Sequence, residues 1–299
     1  VNTSAPHTDF SEASIRTIAV VGLGLLGGSV AKAVRGQSGD AAVRVIGCAR
    51  RAETREFAVK HGFVDDVTDD PVEAAAQADL VLIATPVDRI ADYVINIAAK
   101  CPQVLMTDVG STKFRIVEAV KAAPEAAARF VAAHPIAGSE KTGLQHACGD
   151  LFQDKPIVIT ASGDESPGAI EAVTRFWEST GGRVVHLTPR RHDDLLAISS
   201  HMPHLMSSLV ANQLPGEAIP MVGTGWLDTT RIAAGDEGLW TAIVSENRDA
   251  ILSALEQTAG NLGDLIDVIR SRDDESLTGF LREAREKREA ARPTRLPTP

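Results

Sequence analysis

Short apolar runs alternate with polar and Ala-rich stretches through the first 187 positions of the chain. The runs at residues 18–21, 43–51, 79–85, 104–109, 130–134, 156–161 and 183–187 have the length of strands, and the first is apolar throughout, as a strand covered on both faces is. Helical segments lie between several of them. This alternation predicts an α/β fold with a doubly wound, mostly parallel sheet of the Rossmann type. Near Thr188 and Pro189 the pattern changes. Apolar positions then recur at helical spacing over residues 193–214, 239–262 and 273–290, and no strand-like run follows. The predicted organisation is a flexible N-terminal tail (1–16), a sheet domain (17–187), an all-helical domain (188–291) and a disordered tail (292–299) carrying three prolines. Several apolar helices in so short a domain have few places to bury within one chain, which predicts a homodimer formed through the helical domain.

The 299 residues suffice for two domains. No uninterrupted apolar stretch reaches about 18 residues, so no membrane span is expected, and the first sixteen residues lack the apolar centre of a signal peptide. Cys48, Cys101 and Cys148 are odd in number and widely spaced, which points to neither a disulfide framework nor a zinc site and fits a reducing cytoplasm. A formal charge of −10 argues against nucleic acid as a partner and leaves local basic residues for a small anion.

The segment Val20-Val21-Gly22-Leu23-Gly24-Leu25-Leu26-Gly27 follows the first apolar run with Gly-x-Gly-x-x-Gly spacing. Gly22 permits a tight turn, Gly24 lets the backbone approach a pyrophosphate, and Gly27 lets the next helix pack on the sheet, so the segment reads as a dinucleotide site. At the end of the second strand, where an acidic residue would hold the ribose of NAD, stands Ala49, followed by Arg50 and Arg51. Two arginines suit the 2′-phosphate of NADP. They are also what a solvated helix start would carry, and Glu53 is near enough to reach a ribose. The expected cofactor is NADP, with NAD as the alternative, and the expected contacts are Gly22, Gly24, Leu25, Leu26, Gly27, Ala49, Arg50, Arg51, Thr85 and Pro86.

Three further segments carry chemistry. Asp108-Val109-Gly110-Ser111-Thr112-Lys113 ends a strand and opens a helix, where Ser111 is either a helix cap or a site residue. His134-Pro135-Ile136-Ala137-Gly138-Ser139-Glu140 begins at another strand end. In Ser200-His201-Met202-Pro203-His204 the two histidines lie three apart on one face of an apolar helix, and each imidazole needs a partner. No acidic ligand cluster accompanies them, so no metal is expected.

Taken in order, GLGLLGGS, DVGSTK, HPIAGSEKTG, SHMPH and TTRIAAGDEGLW resemble the prephenate and arogenate dehydrogenase family of tyrosine biosynthesis, over nearly the whole chain. The resemblance implies that His134 contacts the ring hydroxyl that is oxidised and that Ser111 supports this contact. It also implies that His204 faces the substrate, with His201 beside it, that Arg231 grips a carboxylate, and that Trp240 lines the pocket. Ala49 departs from the family's NAD-dependent members, which carry Asp there. By their place beside His134, Ser139 and Glu140 are expected at the substrate side chain. Glu140 would attract the ammonium of arogenate, or it is a surface charge paired with Lys141.

The residue chemistry suits this reaction. A neutral histidine accepts the hydroxyl proton as hydride leaves the carbinol carbon and carbon dioxide departs, while an arginine fork orients the carboxylate. Two alternatives share the architecture. A β-hydroxyacid dehydrogenase would present a lysine from the first long helix of the second domain, and residues 187–280 contain none. A non-catalytic NADP-binding regulator would have no use for Ser111, His134, His204 and Arg231 together. An appended regulatory domain would need about 70 more residues, so allosteric control by tyrosine through such a domain is not expected.

Overall fold

The structure is a computed structural model that describes residues 10, 14–36, 43–138 and 141–291. Residues 1–251 form one compact unit and residues 252–299 a second.

The first unit is built on eight strands: β1 (Thr17–Val21), β2 (Arg44–Cys48), β3 (Asp66–Thr68), β4 (Leu80–Ile83), β5 (Leu105–Asp108), β6 (Phe130–Pro135), β7 (Pro156–Thr160) and β8 (Arg183–Leu187). They lie in the order β3-β2-β1-β4-β5-β6-β7-β8. All neighbours run parallel except β6 and β7, which are antiparallel. The order reverses between β1 and β4, and this is where ligands bind in doubly wound sheets. β3 has no counterpart among the expected runs. It is three residues long, only partly buried and begins with Asp66, so no apolar pattern marks it.

Helices cover both faces: α1 (Leu25–Arg35), α2 (Ala52–Lys60), α3 (Pro71–Ala75), α4 (Ile90–Lys100), α5 (Phe114–Lys121), α6 (Pro124–Ala127) and α7 (Pro167–Ser179). Alternate strand residues feed two separate cores. Ile18, Val20, Leu80 and Leu82 face one, and Ala19, Val21, Val81 and Ile83 the other. Of the expected N-terminal tail, Phe10 is buried in the first core, and the backbone amides of Arg16 and Thr17 donate to Asp79. The rest of that tail below residue 14, and residues 292–299, lie outside the described residues.

After β8 the described chain is helical: α8 (Pro189–Leu196), α9 (Met202–Asn212), α10 (Thr224–Thr230) and α11 (Glu237–Glu246). Thr188 caps α8, accepting from Arg191 N at 3.2 Å, and Pro189 occupies the first turn, where a missing N–H costs nothing. The expected helix over 193–214 is interrupted by a π-turn at Ala197–His201. Pro203 cannot donate to the carbonyl four residues before it, so the ladder widens there. The expected helix over 239–262 breaks at Asn247, between α11 and α12 (Arg248–Ser271).

The second unit holds most of α12 together with α13 (Asp274–Ala290), whose N-terminus Asp273 caps by accepting from Ser276 N at 3.0 Å. Leu262, Ile266 and Ile269 fall on one face of α12 and are exposed, as are Phe280 and Leu281 on α13. No helix among the described residues is long and apolar enough to cross a membrane.

Candidate active site

The glycine turn joins β1 to α1 at the point where the strand order reverses. Gly22 has φ +106°, and a Cβ there would collide with the carbonyl of Ala84. A Cβ on Gly24 would meet no protein atom within 4 Å and would instead fill the groove. Gly24 sits at the N-terminus of α1, ahead of Leu25, Leu26 and Gly27, and the first intrahelical bond is Gly28 N to Gly24 O at 3.0 Å. The amides in between point out of the helix end, as anion sites require. The groove holds about 980 Å³ and is lined by Gly22, Gly24, Ala49, Arg50, Arg51, Thr85 and Pro86. The Thr85 hydroxyl is buried without a hydrogen-bond partner. These features fit a dinucleotide. Arg55, which the sequence reading missed, donates to the carbonyls of Ala49 (2.7 Å) and Arg50 (2.9 Å) and pairs with Asp69 at 3.5 Å, so it shapes the loop that presents Arg50 and Arg51.

β5 and β6 end at the same edge of the sheet, and their last residues bring the chemistry there. Asp108 is fully buried: its Oδ1 accepts from Ala133 N at 2.9 Å, and its Oδ2 accepts from Gly110 N at 2.8 Å and from the Lys113 ammonium. Burial pushes the Lys113 pKa down, opposed by the charge and hydrogen bond of Asp108. Ser111 lies in this turn and is not the cap of α5. That cap is supplied from α8, where the two Asp193 oxygens accept from Lys113 N (2.8 Å) and Phe114 N (2.9 Å).

His134, next to Ala133, points Nδ1 at His192 Nε2, 2.8 Å away, and His192 Nδ1 lies 2.7 Å from Asp193 Oδ1. Burial, followed by the proximity of the basic groups of His192, Lys113 and His201, which would repel a proton on the ring, holds the His134 pKa well below the usual 6.5. Asn247, at the break after α11, donates through Nδ2 to the Asp193 carbonyl at 2.8 Å and meets His201 Nδ1 at 3.1 Å. Burial lowers the His201 pKa to about 4, and its Nε2 is buried without a partner. His204 stacks on Trp240 with ring centroids 3.4 Å apart, and a Cβ on Gly235 would strike both rings. Burial also lowers the His204 pKa.

The structure thus gathers His134 and His201 into one polar network and pairs His204 with Trp240 at a cleft of about 400 Å³. The first turn of α11 links the two clefts, since Asp236, Gly238 and Leu239 line the dinucleotide groove and Trp240 lines the smaller one. Arg231 opens a short 3-10 turn beside α9 and is exposed. Ser139 and Glu140 lie outside the described residues. His192, Asp193 and Asn247 were missed by sequence reasoning. The adjacent His and Asp residues at the start of an otherwise apolar helical region were the available signal. Among the described residues no group of three or more His, Cys, Asp or Glu could hold a metal ion, and the three cysteines are free thiols.

Comparison with known proteins agrees with this geometry. The nucleotide-binding domain of prephenate dehydrogenase matches residues 30–186, and the prephenate dehydrogenase dimerization domain matches residues 188–283. The cyclohexadienyl dehydrogenase of Zymomonas mobilis is 31% identical over 283 residues, spanning 91% of this chain and 94% of its own. The prephenate dehydrogenase of A. aeolicus, in complex with hydroxyphenyl propionate and NAD+, superposes with a TM-score of 0.85 at 28% identity, covering 93% of this chain and 99% of that one. The arogenate dehydrogenase of Synechocystis gives 0.78 at 28% identity, covering 92% and 99%. With the two domain models matching residues 30–186 and 188–283, and the glycine groove and strand-end histidine in place, this chain belongs to the prephenate dehydrogenase family.

Proposed function

We propose that the chain carries out the NAD(P)-dependent oxidative decarboxylation of a cyclohexadienyl acid, taking arogenate to tyrosine or prephenate to 4-hydroxyphenylpyruvate. The observation that supports this best is the position of His134, held uncharged at the strand edge that also carries the glycine groove. A bound nicotinamide supplies the hydride acceptor. The chain's own residues do the rest. Neutral His134 takes the proton of the ring hydroxyl as the carbinol carbon is oxidised. Ser111, in the neighbouring turn, holds the same oxygen, and Arg231 orients the ring carboxylate that leaves as carbon dioxide. His201, His204 and Trp240 shape the substrate side, with Ser139 and Glu140 at the substrate's side chain. Aromatisation of the ring makes the reaction irreversible.

The cofactor we propose is NADP in preference to NAD. Ala49 offers no carboxylate to a ribose, and Arg50 and Arg51 stand exposed at the rim of the groove. Initial rates with arogenate and prephenate, each crossed with NAD and NADP, test both parts. Turnover with none of the four pairs overturns the activity, and a higher kcat/KM with NAD overturns the cofactor preference. Changing Ala49→Asp together with Arg50→Ala should move the preference toward NAD by about tenfold or more, the worth of a hydrogen bond to a charged group.

The exposed face of α12 formed by Leu262, Ile266 and Ile269, in the region matched by the dimerization domain, supports a homodimer. Light scattering should give twice the chain mass, and Ile266→Glu should reduce it to the chain mass. A monomeric unmodified protein would refute the dimer.

A further inference from the structure

The polar network behind His134 has a direction, and that direction fixes where the histidine's proton sits. It starts at Asp193. Two backbone amides, Lys113 N and Phe114 N, donate to this carboxylate, and an amide can only donate. The fully buried Lys113 side chain adds a favourable charge nearby. Asp193 is thereby an acceptor on both oxygens, so His192 Nδ1, 2.7 Å away, must carry a hydrogen and donate it. A neutral His192 then has a bare Nε2. The group across its 2.8 Å contact is His134 Nδ1, which must therefore donate. What remains on His134 is a bare Nε2.

From this chain of contacts we infer that His192 and Asp193 are positioning residues: they lock His134 in the tautomer with Nδ1 protonated and Nε2 free to accept a proton. The inference deepens the proposed function, on which it rests, because it names the accepting atom and the residues that prepare it. When the substrate hydroxyl gives up its proton, the O–H bond breaks and an N–H bond forms at His134 Nε2. The imidazolium so formed keeps donating from Nδ1 to His192, whose other nitrogen stays on Asp193. The carboxylate thus orients the base through an intervening ring.

Asp193 also has a structural duty as the cap of α5, so its replacement cannot separate orientation from folding. His192 can, because two amide side chains imitate its two nitrogens separately. In His192→Asn the amide lies where Nδ1 was and keeps the bond to Asp193 but does not reach His134. In His192→Gln the longer side chain places its amide near the position of Nε2, where the oxygen can accept from His134. The lock predicts that Asn lowers kcat by at least about tenfold, a part of what a positioned base contributes, with both KM values nearly unchanged, and that Gln recovers part of the loss. A merely structural role predicts the reverse order, with kcat losses that follow losses in Tm.

A direct readout needs no turnover. In histidine-labelled protein, long-range ¹H–¹⁵N correlations distinguish protonated from bare ring nitrogens, and the His134 signals are those lost in His134→Asn. The expected spectrum of the unmodified protein shows His134 protonated at Nδ1 and bare at Nε2, and this preference should be lost in His192→Asn. Protonation at Nε2 in the unmodified protein, as a doubly protonated His192 would impose, overturns the inference, and so does an unchanged tautomer in His192→Asn. An enzyme inactive on every substrate but showing the expected tautomer would refute the proposed function and leave the lock standing.

Discussion

Replacing His134 with Asn lowers turnover by at least about a hundredfold, the low end of what a positioned base contributes, while cofactor affinity stays nearly unchanged. Asn still hydrogen-bonds the substrate hydroxyl but cannot take its proton. The same residue sets a pH signature. His134 works as a neutral base, and burial, reinforced by the nearby Lys113, holds its pKa below 6.5, with the carboxylates of Asp108 and Asp193 committed to their own partners. The unmodified enzyme therefore keeps a level kcat/KM as pH falls through 6.5 and loses activity only on the more acid side. A profile that breaks at or above 6.5, or near-normal turnover in His134→Asn, removes His134 from the chemistry.

The second large effect is expected at Arg231. Its contact with the substrate carboxylate exists before the transition state as well as within it, so Arg231→Ala should act mainly on KM. Because Arg231 is exposed in the chain, the appropriate scale is a hydrogen bond to a charged group, about 1.5 to 3 kcal/mol, and not the larger cost of breaking a buried pair. That corresponds to a rise in KM of roughly tenfold to a hundredfold. Lysine should restore only part of it, since an ammonium cannot form the planar fork. An unchanged substrate KM with a collapse of cofactor binding would move Arg231 to the dinucleotide groove or to a subunit contact.

Individual elements show how far local pattern carries. The apolar runs of β1 and β4 announce themselves because strands buried on both faces are near-continuously apolar, whereas β5 is also buried throughout yet ends in Thr107 and Asp108. The three-residue β3 carries no such run and is held by its pairing with β2, where Ile46 stands opposite Asp66. The expected helix over 193–214 had the right apolar spacing, yet Pro203 forces a π-turn before it and thereby divides the segment that carries both histidines. At Ser111 local pattern left a cap and a site residue equally open. The structure removes the cap reading, because the α5 N-terminus is satisfied by Asp193, 80 residues from Lys113 in the chain.

By itself the sequence determined what depends on neighbours in the chain: the doubly wound sheet, the turn at Gly22 with its adjoining helix end, the missing acid at Ala49 and the placement of His134 at a strand terminus. Each follows from local periodicity or from the stereochemistry of a few consecutive residues. Tertiary structure alone decided the partners. That His134 meets His192, that Asp193 spends both oxygens on α5, that Asn247 joins the Asp193 carbonyl to His201, and that His204 lies flat on Trp240 are contacts between residues 36 to 80 positions apart. Buried polar groups must find partners wherever packing brings a donor to an acceptor, and that choice is made by the folded core as a whole.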